Sequence, residues 1–152
     1  MNMGRVVLRR ASVLVGGAAL ALAGERSAAA EESVATNVIE FVTHNRNNKG
    51  VVRCGLFKEK GWLKTTEKAA IVRINSKNVA RCVFKEMPAG EYGISAFHDE
   101  DENGKLNTNF VGYPLEEYCA TNNARNTFSA PSWEDAKFKY KGGTVKLKAV
   151  MK

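Results

Sequence analysis

Imidazole and thiol are scarce in this chain, with 2 His and 3 Cys among 152 residues. No GxSxG elbow, phosphate-cradling Gly loop or Cys/His zinc spacing occurs, which removes the enzyme classes most readily read from motifs. No run of five or six like charges marks a nucleic-acid-binding arm. Apolar runs are short too: the longest covers residues 18–24, or 11–24 if Ser12 is tolerated, against the roughly 18–20 residues of a membrane-spanning helix. Proline is scarce as well, with 3 Pro against 13 Gly. What remains, at 44% hydrophobic and 26% charged residues, has the balance of a globular domain and not of a disordered one.

The first thirty residues have their own grammar. Arg5, Arg9 and Arg10 precede the apolar stretch 11–23, and Ser27, Ala28, Ala29 and Ala30 follow. This basic, apolar, small-residue order predicts a secretory signal peptide over residues 1–30, cleaved after Ala30. Arg9-Arg10 raises the twin-arginine route, but its flanks Leu8 and Ala11 add nothing to that case, and ordinary export is expected. Cleavage removes four arginines and one glutamate (Glu25), so the formal net charge falls from +7 to +4. The expectation is an exported protein, periplasmic or secreted, with an unknown envelope or extracellular partner, no nucleic acid, and an oligomeric state left open.

Residues 31–152 form one domain, long enough to bury a core without help. Seven short segments alternate or are rich in β-formers: residues 38–43, 51–57, 70–74, 79–85, 91–97, 136–140 and 144–151. In the last two, Ala136, Phe138 and Tyr140, then Val145, Leu147, Ala149 and Met151, alternate with lysines, the period-two pattern of a sheet with one wet face. Gly142-Gly143 between them supplies the positive φ of a two-residue hairpin. Residues 62–69 read as a short helical turn and 113–135 as one long ordered loop. The predicted fold is all-β, a single antiparallel sandwich of about seven strands.

The three cysteines lie in an exported domain, where pairs persist. Cys54 shares a strand face with Val52 and Leu56, and Cys82 shares one with Ala80 and Phe84, so a Cys54–Cys82 bridge is the favoured pairing, with two buried thiols as the alternative. Closing that loop contributes about 3–4 kcal/mol in the chain-entropy model. Cys119 is then left free, in a loop, open to oxidation or intermolecular pairing.

The stretch His98–Asn109, which follows a predicted strand, carries the main candidate site. Asp99, Asp101 and Asn103 at alternate positions bring oxygens to one side of a turn, and Gly104 at the sixth position lets the chain reverse, as at the start of a calcium loop. Lys105 offers its backbone carbonyl and Asn107 its side chain. The twelfth position is Phe110 and not the bidentate Glu of an EF-hand, so Glu116 or Glu117 would have to fold back to supply the missing carboxylate. Two charged ligands alone imply weak Ca²⁺ binding, on the order of 10⁻⁴ to 10⁻³ M. The competing reading is an acidic turn held by its own Asx hydrogen bonds.

Several motifs, taken together, resemble the DUF2141 family of bacterial exported proteins: Pro88-Ala89-Gly90-Glu91-Tyr92, Ala96-Phe97-His98-Asp99, Asn103-Gly104-Lys105-Leu106, Asn109-Phe110-Val111-Gly112, Pro114, Glu116, and the run 130–138 from Ala130-Pro131-Ser132-Trp133 to Phe138. The resemblance covers nearly all of residues 31–152. It implies export, a transthyretin-like or immunoglobulin-like sandwich, and no established activity or cofactor. Asn107 stands where the family usually has Asp, Asp101 where it often has Asn, and Cys119-Ala120-Thr121 replaces the usual Gly-Phe-Ser after the tyrosine.

For function, two classes compete. Catalysis would rest on His98 with Glu116 as a small hydrolase, but neighbouring strand residues such as His98 and Asp99 point to opposite faces and make no dyad by adjacency. A non-catalytic binding role fits a rigid sandwich with a long loop better. Its contacts would be Trp62, Tyr113, Tyr118 and Trp133, for a sugar, a peptide or a partner protein, with or without the metal; core packing is the bland account of all four.

Overall fold

Alternation of apolar and polar residues sets the strands of the computed structural model, which describes residues 37–152; the expected signal peptide and its cleavage point lie outside them. The strands are β1 (Val38–His44), β2 (Val51–Phe57), β3 (Lys68–Arg73), β4 (Val79–Phe84), β5 (Gly90–Asp99), β6 (Tyr118–Ala120), β7 (Phe138–Tyr140) and β8 (Thr144–Val150). In β4, Ala80, Cys82 and Phe84 are buried while Arg81 and Val83 face out, as period-two geometry requires.

Two sheets pack face to face. One has the order β4-β1-β8 and the other β3-β2-β5-β6, with β7 paired to the start of β5. Between them lie Ile39 and Phe41 of β1, Val52 and Leu56 of β2, Phe84 of β4, and Tyr92 and Ile94 of β5, each 2% exposed or less. The Cys54–Cys82 disulfide joins β2 of one sheet to β4 of the other, with Cα atoms 6.5 Å apart. It therefore crosses the core and does not merely close a hairpin.

The sandwich is as expected, but several details of its construction differ. Among the described residues there are eight strands, and β1 pairs with β8 in parallel, so the sheets are not wholly antiparallel. Gly142 and Gly143 do have positive φ, +103° and +77°, yet they form no hairpin: β7 pairs with β5, and β8 with β1. The turn carries the chain from one sheet to the other, a choice that backbone freedom alone does not dictate. The segment 113–135 is not one loop, because it contains β6, a 3-10 turn at Thr121–Asn123 and the start of a helical turn, α1 (Trp133–Ala136). The Ser132 hydroxyl accepts the Asp135 N–H at 3.2 Å and caps α1, as Ser-x-x-Asp spacing favours. Ala136 accordingly ends a helix and does not begin a strand. The turn expected over 62–69 is shifted, with a 3-10 turn at Glu59–Gly61 just before it.

Cys119 is the remaining correction. It lies in β6, not in a loop, 3% exposed within the core cluster. Burial pushes its thiol up to about 12, against only a small downward pull from Arg125. A thiol held in that state is neither nucleophilic nor accessible, so the expected openness to oxidation and pairing is withdrawn.

Candidate functional site

Strand β5 is the longest among the described residues and ends in Asp99. Alternation sends His98 inward and Asp99 to the outer face, where the following loop covers it; both are 0% exposed. Asp99 Oδ1 accepts the Asn103 N–H at 3.0 Å, and Oδ2 accepts the Gly104 N–H at 2.9 Å and the Nε–H of Arg53. Gly104 has φ +86°, the left-handed conformation in which glycine carries no Cβ penalty. Burial pushes the Asp99 carboxyl up, but the Arg53 guanidinium and the two backbone N–H groups together outweigh it and hold the carboxyl below its ordinary range.

Asp101 and Asn103 complete the turn. Asp101 Oδ1 accepts the Asn103 N–H at 3.2 Å, and Oδ2 accepts the side-chain amides of Asn103 and Asn107 at 2.9 and 3.0 Å. The Asn103 amide also reaches Asn107 Oδ1 at 2.7 Å. Glu116 does fold back: its Oε1 accepts the Glu100 N–H at 3.0 Å and its Oε2 the Asn107 N–H at 2.9 Å. One carboxylate thus staples both limbs of the loop. Lys105 donates its N–H to Asn103 Oδ1 at 2.8 Å.

Carboxylate oxygens of Asp99, Asp101 and Glu116 lie within 4.8 Å of one another. Three carboxylates against the single guanidinium of Arg53 leave two negative charges in this small volume, and such a group of hard oxygens fits a metal ion. Asn103 and Asn107 present amide nitrogens to Asp101, the arrangement an amide adopts beside an uncompensated anion; half a turn about the terminal bond presents oxygen instead.

Several partners in this region escape a reading of the loop alone. Arg53 is the only basic residue of β2 and pairs across the sheet with Phe97, two residues before Asp99; a lone basic residue in an apolar strand was its one signal. Arg46 pairs with Glu100, which holds the Glu100 carboxyl low chiefly through that hydrogen bond, and the Arg46 N–H donates to Glu117 Oε2 at 3.0 Å. The Nε2–H of His98 donates to the Lys49 carbonyl at 2.7 Å, and its Nδ1 faces Glu117 Oε2 at 3.5 Å without a hydrogen-bond partner among the described residues.

The four aromatic candidates divide into two pairs. Trp62 and Trp133 pack edge to face, centroids 5.7 Å apart, above Gly93, where a Cβ would stand 2.7 Å from the Trp62 ring. The indole N–H of Trp62 donates to the Pro131 carbonyl at 2.8 Å, and both rings are half-buried. Tyr113, 65% exposed, and Tyr118, stacked under the Arg125 guanidinium at 4.5 Å, instead line a groove of about 810 Å³ on the outer face of the five-stranded sheet.

The arrangement can be placed among known proteins. A family model described as an uncharacterized protein conserved in bacteria, DUF2141, matches residues 41–148. The chain belongs to the DUF2141 family. Its matched region runs from β1 to β8 and includes the whole acidic loop and the groove. No curated protein and no solved structure shows significant similarity to the chain. Among the described residues, no helix is long and apolar enough to cross a membrane.

Proposed function

We propose that this DUF2141 protein is an exported, non-catalytic binding module of the cell envelope whose acidic loop is organised by Ca²⁺. The observation that carries the reading is the carboxylate triad of Asp99, Asp101 and Glu116 within 4.8 Å, two of them buried, beside a single guanidinium. Like charges so close repel strongly unless a cation joins them, and oxygen-only donors on a Gly-hinged turn favour Ca²⁺ over softer metals. Asp101, Asn103 and Asn107 would turn their oxygens to the ion, while Arg53 and the backbone hold Asp99 in place. The inter-sheet disulfide suits an oxidising compartment. A hydrolase reading draws little support from the geometry: the His98 ring is fully buried, and both Glu116 oxygens are engaged by backbone N–H groups.

Thermal unfolding in millimolar Ca²⁺ against EGTA tests the metal. A ligand that binds only the native state stabilises it by about 1.4 kcal/mol at ten times its Kd, so a rise of several degrees is expected. Asp101→Asn, on an exposed loop residue, should abolish the rise while leaving the EGTA melting temperature within a degree or two. No rise, with Mg²⁺ also inert, would reduce the triad to a hydrogen-bonded turn.

A further inference from the structure

We propose that the groove on the outer face of the five-stranded sheet binds one anionic amphiphile, a long-chain carboxylate, with its hydrocarbon along the sheet and its head group on Arg53. This rests on the reading of the protein as a binding module and names the ligand class. The groove originates in the strands. Cross-strand neighbours Ala69, Gly55 and Ser95 form a row of small side chains, and the next row, Ile71, Arg53, Phe97 and Tyr118, is large. Two loops rise beside this step, one carrying Val111 and Tyr113 and the other Phe128. Phe128 is 98% exposed, Val111 70% and Ile71 59%. A water-exposed concavity lined by so many large apolar groups marks a binding surface more often than idle surface, and about 810 Å³ lies within the size range of small-ligand sites.

Charge decides the class of ligand. Among the described residues, Arg53 is the single charged residue of the lining and no carboxylate faces the groove. Asp99 engages only its Nε–H; neither Nη group has a hydrogen-bond partner among the described residues, and the side chain is 27% exposed. A guanidinium with unengaged donors at the edge of an apolar trough pairs well with a planar carboxylate, because low local polarity strengthens the charge-assisted hydrogen bonds. A neutral sugar would leave Ile71, Val111 and Phe128 against hydroxyl groups, and a purely apolar molecule would leave the Nη donors of Arg53, whose Nε–H alone is taken by Asp99, without acceptors.

The test is titration of the protein with dodecanoate below its micelle concentration, in parallel with dodecanol, read by calorimetry. One dodecanoate per chain is expected, bound at least about tenfold more tightly than the alcohol, since a charge-assisted hydrogen bond is worth about 1.5–3 kcal/mol. Arg53→Gln should erase that preference. Because it leaves Asp99 buried without its partner and can unfold the protein, Ile71→Glu serves as the second variant: it sits on exposed β3 directly opposite Arg53, so acid and alcohol both lose an apolar contact, but the acid also meets repulsion and should weaken about tenfold more than the alcohol. Equal binding of acid and alcohol, no saturable binding, or an Ile71→Glu variant that binds the acid unchanged would each overturn the inference. So would binding confined to anionic vesicles, or self-association through Phe128 that dodecanoate does not displace. Running the titrations in Ca²⁺ and in EGTA separates the two readings: a calcium-induced melting shift without dodecanoate binding removes the ligand alone, and binding without a calcium shift removes the metal alone.

Discussion

On the inner face of the five-stranded sheet, Val52 and Leu56 of β2 and Ile94 and Ala96 of β5 are 0–1% exposed, and Cys54 is tied to the opposite sheet. On the outer face, the alternate residues of the same strands, Arg53, Gly55, Ser95 and Phe97, are only half-buried and border an open groove. The two faces share a backbone, so the difference comes from side-chain size and from what lies opposite. Inside, a second sheet supplies matching apolar surface, and close packing follows. Outside, the covering elements are loops and short helical turns, whose backbone must satisfy its own hydrogen bonds, and they leave a trough. Apolar burial is concentrated on one face and open concave surface on the other.

The largest effect should come from breaking the inner face. Replacing Cys54 and Cys82 by Ala should cost about 2–5 kcal/mol, and Leu56→Ala a similar amount, about 2–5 kcal/mol, through lost burial and a cavity; both are read from urea unfolding midpoints. If the double Cys variant unfolds at the wild-type midpoint, the core does not depend on its crosslink. Next in size is Gly50→Ala, at the start of β2. Gly50 has φ +61°, and a Cβ there would meet the Asp99 carbonyl oxygen at 2.1 Å and the Glu100 Cα at 2.8 Å. These are backbone atoms that cannot swing aside, so a loss of about 1–3 kcal/mol is expected, together with loss of any calcium response.

A pH profile tests the boundary between the faces. The Asp99 carboxyl is held below its unfolded value, so its contribution to stability is fully present above the unfolded pKa of about 3.9 and is lost as pH falls through the lower folded value. Unfolding free energy measured from pH 6 downward should therefore drop more steeply in the native protein than in Asp99→Asn; parallel curves would mean that the Arg53 pairing stabilises nothing. The smallest effect belongs to the outer face: Phe128→Ser, at a side chain 98% exposed, should leave stability within about 0.5 kcal/mol while weakening any groove ligand. A loss as large as that of Leu56→Ala would show that the groove is closed in solution.

Much of this organisation was legible one strand at a time. Period-two patterning located seven of the eight strands to within a few residues, and it placed Cys54 and Cys82 on inward faces where they meet. The same rule separated His98 from Asp99. Strand β6 was missed because Tyr118–Ala120 is three residues long, too short to show a period. The acidic loop was recognised from DxDxNG, and Glu116 was correctly drawn into it, but its task as a staple on two backbone N–H groups depends on the chain returning through the bridge between Thr108 and Pro114.

By itself the sequence determined the class of fold, the crosslink, the acidic turn and the family, because each depends on local spacing or on residues facing the same way along one strand. Only the tertiary structure decided that β8 lies parallel to β1, that Cys119 is sealed in the core, that Arg53 answers Asp99, and that small residues on neighbouring strands line up into a groove. Those features require knowing which strands are neighbours and in what register. That information resides in the packing of the whole domain, where burial of every apolar face at once selects one arrangement.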